Sequence, residues 1–79
     1  MSPTVFCYKE YRFYFFSREE SRMHVHVYSS SGEAKFWLDP VVALADCYGL
    51  SQKQLREAQK IVEERKNEIT KSWKKHFKR

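Results

Sequence analysis

The residue types best suited to catalysis lie in two short runs of this 79-residue chain, His24-Val25-His26 and Glu33-Ala34-Lys35-Phe36-Trp37. Alternate residues of a β-strand point to the same face, so both imidazoles share one face, and so do the carboxylate, the ammonium and the indole. Imidazole titrates near neutral pH, and an ammonium neutralises charge that develops on a phosphate. These residue types suit RNA cleavage, with four candidate catalytic residues: His24, His26, Lys35 and Glu33.

Two other interpretations of the same residues stay open. Histidines two positions apart on a strand could share a zinc ion, and Glu33 is the nearest candidate for a third ligand. Alternatively, the run is an ordinary exposed strand face on which His24 packs against Trp37. The spacing suits all three interpretations, and no metal or cofactor is assigned from it.

The two runs have the pattern of a β-hairpin that closes at Ser29–Gly32. This register places Tyr28 opposite Glu33, His26 opposite Lys35 and His24 opposite Trp37. The six side chains then form one polar and aromatic face. The opposite face is apolar and is predicted to belong to the core; it carries Val25, Val27, Ala34, Phe36 and Leu38.

The remaining patterns predict a single α+β domain over residues 1–79, with two antiparallel β-hairpins followed by a short helix and a long C-terminal helix that packs on the sheet. Aromatic and β-branched residues dominate the first hairpin, in which only Lys9-Glu10 separates the two strands. A two-residue turn would pair Tyr8 with Tyr11, and a longer loop or a bulge is the alternative, since the turn lacks Gly and Asn. The predicted strands are 4–8, 11–17, 24–30 and 33–39, and the predicted helices are 40–48 and 52–77.

Local capping signals define both predicted helices. Asp39-Pro40 is a typical helix start, and Gly49 is a typical left-handed helix end. Ser51 with Gln54 forms a capping box for the second helix. An apolar stripe then recurs at steps of three, four or seven, through Leu55, Ala58, Val62, Ile69, Trp73 and Phe77. This stripe is predicted to cover the sheet. The helix is longer than a domain of this size needs, so its end is expected either to project or to pack on a second subunit in a homodimer.

The net charge of +5 is concentrated at the C-terminal end, because residues 1–69 contain ten basic and ten acidic residues. The helix macrodipole favours cations there, and a solvated loop accounts for the charges around Arg18 and Arg22. RNA binding is the alternative, since cations contact phosphates and aromatic rings stack on bases. The candidates for nucleic-acid binding are Arg12, Arg18, Arg22, Trp37, Lys74, Lys75 and Lys78.

Composition and missing motifs narrow the class of protein. The chain is 42% hydrophobic and 16% aromatic, enough for a small core. No signal peptide or membrane span is apparent, so a cytoplasmic location is expected, with Cys7 and Cys47 as buried free thiols. The absence of a glycine-rich phosphate loop, a nucleophile elbow and a Cys-x-x-Cys motif argues against nucleotide hydrolases, serine hydrolases and zinc ribbons.

Four segments in order resemble a family of very small bacterial proteins, the domain of unknown function 4160. They are Thr4-Val5-Phe6-x-Tyr8-Lys9-x-Tyr11-Arg12-Phe13, His24-Val25-His26-Val27, Gly32-Glu33-Ala34-Lys35-Phe36-Trp37-Leu38 and Leu50-Ser51-x-Lys53-x-Leu55. The resemblance covers about Thr4 to Trp73. The sequence departs from the family at Met23, where a proline is usual.

The resemblance implies a function, since members of this family are often encoded beside another small protein in arrangements that look like toxin–antitoxin pairs. The expected function is a toxin-like component that acts on RNA or translation and binds a cognate small protein encoded nearby. The alternative is a non-catalytic protein-binding module, antitoxin-like or accessory. The family's signature residues correspond here to His24, His26, Glu33, Lys35 and Trp37.

Overall fold

The computed structural model describes residues 4–15 and 22–77. In these ranges the chain forms one antiparallel sheet in the strand order β1-β2-β3-β4-β5, followed by two helices. The predicted α+β class is therefore confirmed, with one strand more than predicted. The elements are β1 Thr4–Tyr8, β2 Tyr11–Tyr14, β3 His24–Tyr28, β4 Glu33–Trp37, β5 Ala43–Tyr48, α1 Gln52–Glu64 and α2 Lys66–His76.

The first hairpin has the two-residue turn and not the longer loop, with Tyr8 paired to Tyr11. The two-residue turn lacks glycine, and Lys9 adopts a positive φ of 55°. Its ammonium lies 2.8 Å from a carboxylate oxygen of Glu57 on α1. Tyr11 Oη donates to the other oxygen of Glu57, also at 2.8 Å. The turn is thus joined to the helix layer through one carboxylate.

The second hairpin also has the predicted register. His24 pairs with Trp37, His26 with Lys35 and Tyr28 with Glu33. The loop is closed by two backbone hydrogen bonds between Ser29 and Gly32. Since side chains alternate along each strand, Val25, Val27 and Phe36 point to the other face, and all three are fully buried.

The prediction of a helix over residues 40–48 is wrong, because this segment forms strand β5. It pairs antiparallel with β4, with one extra residue, Ala45, between the pairs Phe36–Leu44 and Lys35–Asp46. A helix this short is marginal without tertiary support, whereas the free edge of β4 offers a row of backbone hydrogen bonds. Gly49 does adopt a positive φ of 83°, but it ends a strand instead of a helix.

The C-terminal helical segment begins as predicted and is divided at Arg65. Ser51 and Gln54 form the capping box. Arg65 has φ −109° and ψ 22° and separates α1 from α2. Its guanidinium lies over the rings of Phe6 and Tyr8 on β1, at 4.5 and 5.4 Å from their centroids. The division therefore places a cation against the outermost strand while both helices continue to cover the sheet.

The core lies between one face of the sheet and the two helices. The apolar stripe is buried as predicted at Ala58, Val62, Ile69 and Trp73. It packs in one cluster with side chains of the sheet and of the residues that directly follow β2 and β4: Tyr11, Phe13, Phe15, Val25, Val27, Ala34, Phe36 and Leu38. α1 and α2 leave most of the opposite face uncovered, and Trp73 of α2 reaches its end, at His24. We call this opposite face the outer face.

Two further expectations concern the cysteines and the membrane. Cys7 and Cys47 are both free, but both are exposed, so the prediction of buried thiols is wrong. The reason is that each lies on an outermost strand of the sheet, β1 or β5. Neither helix of the described chain is long and apolar enough to cross a membrane.

The contact of Glu57 with the first turn is expected to stabilise the protein in a pH-dependent way. Hydrogen bonds from Lys9 and then Tyr11 hold the pKa of Glu57 below its ordinary value of 4.5. A depressed folded-state pKa stabilises the protein above the unfolded pKa, and this contribution is lost as the pH falls through the folded pKa. Glu57→Gln is therefore expected to lower the urea midpoint at neutral pH, and the difference from wild type is expected to shrink below pH 4.5.

The control for this measurement is Glu64→Gln, which changes an exposed carboxylate on the same helix. Urea unfolding of the three proteins across the acid range measures how the difference in midpoint changes with pH. A difference between wild type and Glu57→Gln that stays constant with pH would contradict the assigned role of the carboxylate.

Candidate functional site

Strand pairing arranges the outer face in three rows that run across the sheet. The middle row is Tyr14, His26, Lys35 and Asp46. The second row is Arg12, Tyr28, Glu33 and Tyr48. The third row is His24, Trp37 and Ala43. Each row places side chains from neighbouring strands side by side, so residues distant in sequence share one surface.

The middle row contains a stack of rings topped by a cation. The rings of Tyr14 and His26 are stacked with their centroids 5.4 Å apart and an interplanar angle of 26°. The guanidinium of Arg12 lies 4.8 Å from the centroid of Tyr14. These contacts fix the plane of the His26 imidazole on a face that remains partly open to solvent.

Two cations meet at the indole of Trp37. The Arg22 guanidinium lies 4.2 Å from the ring centroid, and the Lys35 ammonium lies 4.6 Å from it. Arg22 Nε also donates to the carbonyl oxygen of Asp39 at 3.1 Å. The indole therefore holds a guanidinium and an ammonium close together, although like charges repel, which concentrates positive charge at this end of the face.

His24 is in the predicted register but is completely buried. Its Nδ1 donates to the carbonyl oxygen of Arg22 at 2.7 Å. Its ring meets His26 and Trp37 edge to face, with centroids 5.1 and 5.8 Å away. Trp73 of α2 closes the remaining side at 5.1 Å. A side chain with no exposed surface cannot contact a dissolved substrate directly, so the structure places His24 as a support for His26.

An open depression of about 200 Å³ lies beside His26 and extends toward β5. The polar and aromatic residues that line it are His26, Glu33, Lys35, Asp46 and Tyr48. Two of these, Asp46 and Tyr48, were not among the residues predicted from the sequence. They belong to β5, and a segment predicted as a helix gave no reason to place them beside β4.

The other predicted nucleic-acid contacts are divided between locations. Arg12, Arg22 and Trp37 belong to the outer face. Lys74 and Lys75 are exposed in the last turn of α2, in the layer that covers the opposite face. Arg18 and Lys78 lie outside the described residues. The fold therefore joins the hairpin residues in one surface, whereas the two described helix lysines belong to the helix layer.

The zinc interpretation gains no support from the geometry. Within residues 4–15 and 22–77, no group of three His, Cys, Asp or Glu side chains is close enough to hold a metal ion. Glu33 pairs with Tyr28, at the end of β3 opposite His24. The candidate third ligand is thus separated from the buried imidazole along the strand.

The family model described as "Domain of unknown function (DUF4160)" matches residues 11–74, from the first residue of β2 to the last turn of α2. No curated protein matches the chain, and no solved structure does.

Proposed function

We propose that this chain, which belongs to the DUF4160 family, is the toxin-like component of a bacterial two-gene module. In this proposal the protein acts in the cytoplasm by binding and cleaving single-stranded RNA on the outer face of its sheet. The observation that carries the proposal is the set of cation and ring contacts on that face, from Arg12 and Tyr14 through His26 to Trp37 with Arg22 and Lys35.

Single-stranded RNA is the substrate that suits these groups best. Its phosphates attract guanidinium and ammonium groups, and its unpaired bases stack on exposed rings. Paired RNA hides its bases and is recognised chiefly by shape. A β-sheet that presents Tyr28, Trp37 and Tyr48 on one face offers rings to bases that are already unstacked.

The chemistry assigned to this face is attack of a ribose 2′-oxygen on the adjacent phosphorus. The 2′-hydroxyl proton passes to the imidazole of His26, and the 5′-oxygen of the next nucleotide leaves and takes a proton from water. The Lys35 ammonium stabilises the negative charge on the phosphate oxygens. The products are a 2′,3′-cyclic phosphate and a free 5′-hydroxyl.

Replacing Lys35 with glutamine is expected to weaken RNA binding uniformly across sequences. Loss of one phosphate contact should also reduce the slope of log K against log salt by about 0.7 for a single strand. Fluorescence anisotropy with a labelled single-stranded RNA at several salt concentrations measures both quantities. The matched control is Lys60→Gln, which removes an exposed lysine from α1 on the other side of the sheet.

An unchanged affinity and slope in Lys35→Gln would argue against the outer face as the phosphate-binding surface. A loss of affinity in Lys60→Gln of the same size would show that only net charge matters, with the same consequence for the proposal.

A second candidate function, a non-catalytic protein-binding module, is favoured by strand β5. β5 is the last strand of the sheet, so one of its backbone edges has no neighbouring strand among the described residues. Leu44 is 43% exposed, and Val41 just before the strand is 63% exposed. An exposed edge with apolar side chains suits the addition of a strand from a cognate protein.

Affinity purification from the native host separates the two functions. One result would favour binding alone: recovery of the protein encoded beside this one, with growth and recovery the same for the wild type and the double variant His24→Ala, His26→Ala. Recovery of RNA that depends on Lys35 would favour the leading proposal.

A further inference from the structure

Two exposed tyrosines lie on either side of one carboxylate in the second row of the outer face. Glu33 pairs with Tyr28 on one side and with Tyr48 on the other. Tyr28 is 51% exposed and Tyr48 is 78% exposed, while Glu33 is exposed between them. The fold does not use these exposed aromatic rings for its core. Exposed rings beside a carboxylate therefore suggest a ligand-binding site.

The spacing of the strands suits a flat ring between the two tyrosines. Neighbouring strands are about 4.8 Å apart, so the backbones of Tyr28 and Tyr48 are separated by about 10 Å. A base stacked on both sides needs two contacts of about 3.5 Å. Both side chains are exposed and can rotate, so the phenol rings can take that separation.

The carboxylate selects among the four bases. An ionised carboxylate only accepts hydrogen bonds, and it accepts two from a group that presents parallel donors. The Watson–Crick edge of guanine presents two adjacent donors, N1–H and the N2 amino group. Adenine and cytosine place an acceptor beside their single amino donor, and uracil has one N–H between two carbonyl oxygens. A carboxylate between two rings therefore suits guanine.

The same depression connects this row to the phosphate-binding residues. Glu33 and Lys35 are two residues apart on β4, about 7 Å along the strand, and both line the depression with Tyr48 and His26. A nucleotide whose base lies against Tyr48 and Glu33 would place its phosphate near Lys35. Arg12 next to Tyr28 and Lys35 next to Glu33 disfavour a cationic peptide as the occupant.

We infer that Tyr28, Glu33 and Tyr48 form a binding site for an unpaired guanine base of RNA. The inference rests on the proposed function, since it names the base recognised beside the proposed cleavage site. Glu33 then reads the base instead of transferring a proton, and it becomes a specificity residue.

The experiment compares four short 2′-O-methyl RNAs, which cannot be cleaved: an oligouridylate and the same strand with one central guanosine, adenosine or cytidine. Binding is measured by fluorescence anisotropy at low salt. The guanosine strand is expected to bind about tenfold more tightly than the other three, the size of a bidentate base contact. Glu33→Gln is expected to remove this preference and keep the affinity for oligouridylate.

Tyr48→Ala is expected to weaken binding of the guanosine strand about tenfold or more through loss of stacking. Tyr8→Ala is the control, because Tyr8 is an exposed tyrosine on β1 at the other edge of the sheet.

The outcomes distinguish this inference from the proposed function. Equal binding of all four strands by the wild type, still reduced in Lys35→Gln, would overturn the guanine site and leave RNA binding in place. Failure to bind any strand at low salt would overturn both. Binding of an arginine-rich peptide that is lost in Glu33→Gln, without binding of RNA, would identify a protein-docking site and overturn both as well.

Discussion

Replacing His26 with alanine is expected to lower the rate of RNA cleavage by about 10²- to 10⁴-fold, the usual contribution of a general base. His26 is the partly exposed imidazole of the pair and lines the depression beside Lys35. The same substitution is expected to relieve any growth defect that expression of the protein without its partner causes. Cleavage of a labelled single-stranded RNA by the purified variant measures the effect.

Two further variants make this result interpretable. His26→Phe keeps a ring to stack on Tyr14 but has no group that transfers a proton, so it is expected to fold normally and to be as inactive as His26→Ala. His76→Ala removes an exposed histidine from α2 and should cleave at the wild-type rate. Cleavage by His26→Phe at the wild-type rate, with native circular dichroism, would eliminate His26 as the base.

Replacing Gly32 with alanine is expected to destabilise the protein more than any surface substitution. A Cβ atom at Gly32 would overlap the carbonyl oxygen of Tyr48 and lie 2.8 Å from the Cα and carbonyl carbon of Gly49. All three are backbone atoms, so relief requires that the end of β5 move away from the β3–β4 turn. We expect a loss of about 3 kcal/mol in the free energy of unfolding, or about 12–24 °C in Tm for a domain of this size.

The control for Gly32→Ala is Ser30→Ala, which changes an exposed residue of the same turn and should alter Tm little. Thermal unfolding followed by circular dichroism compares the three proteins. A Tm for Gly32→Ala within a few degrees of wild type would show that the close approach of the two backbones is not required by the fold.

The register of the second hairpin was predictable because the alternation of apolar and polar residues along both strands favours one pairing. A slip of one residue would move Val25, Val27 and Phe36 out of the core and His26 into it. The capping box at Ser51 was predictable for a similar reason, since its residues are adjacent in sequence and make their bonds locally. Both features depend on information contained within a few residues.

Strand β5 was not predictable on the same basis. Asp39-Pro40, the run Ala43-Leu44-Ala45 and Gly49 all satisfy local rules for a short helix. Pairing with β4 and the close approach of Gly32 to Gly49 are contacts between segments, and they override these local preferences. Asp46 and Tyr48 were missed at the candidate site for the same reason, because β5 is the element that places them there.

The burial of His24 depends on a contact of the same kind. Trp73 lies 49 positions further along the chain and closes one side of the imidazole. The alternation of β3 correctly assigned His24 to the polar face, but the alternation alone does not show that a helix side chain covers the end of that face. The difference matters for the proposed function, because His26 is then the histidine of this pair that is open to solvent.

NMR mapping of an uncleavable single-stranded RNA on the isotope-labelled protein tests directly whether the outer face binds RNA. We expect concentration-dependent shifts at the Trp37 indole N–H and at the backbone amides of Tyr28, Lys35 and Tyr48, with little change along α1. Shifts confined to Lys74, Lys75 and their neighbours at the end of α2, with none on β3, β4 or β5, would rule out the outer face as the RNA-binding surface.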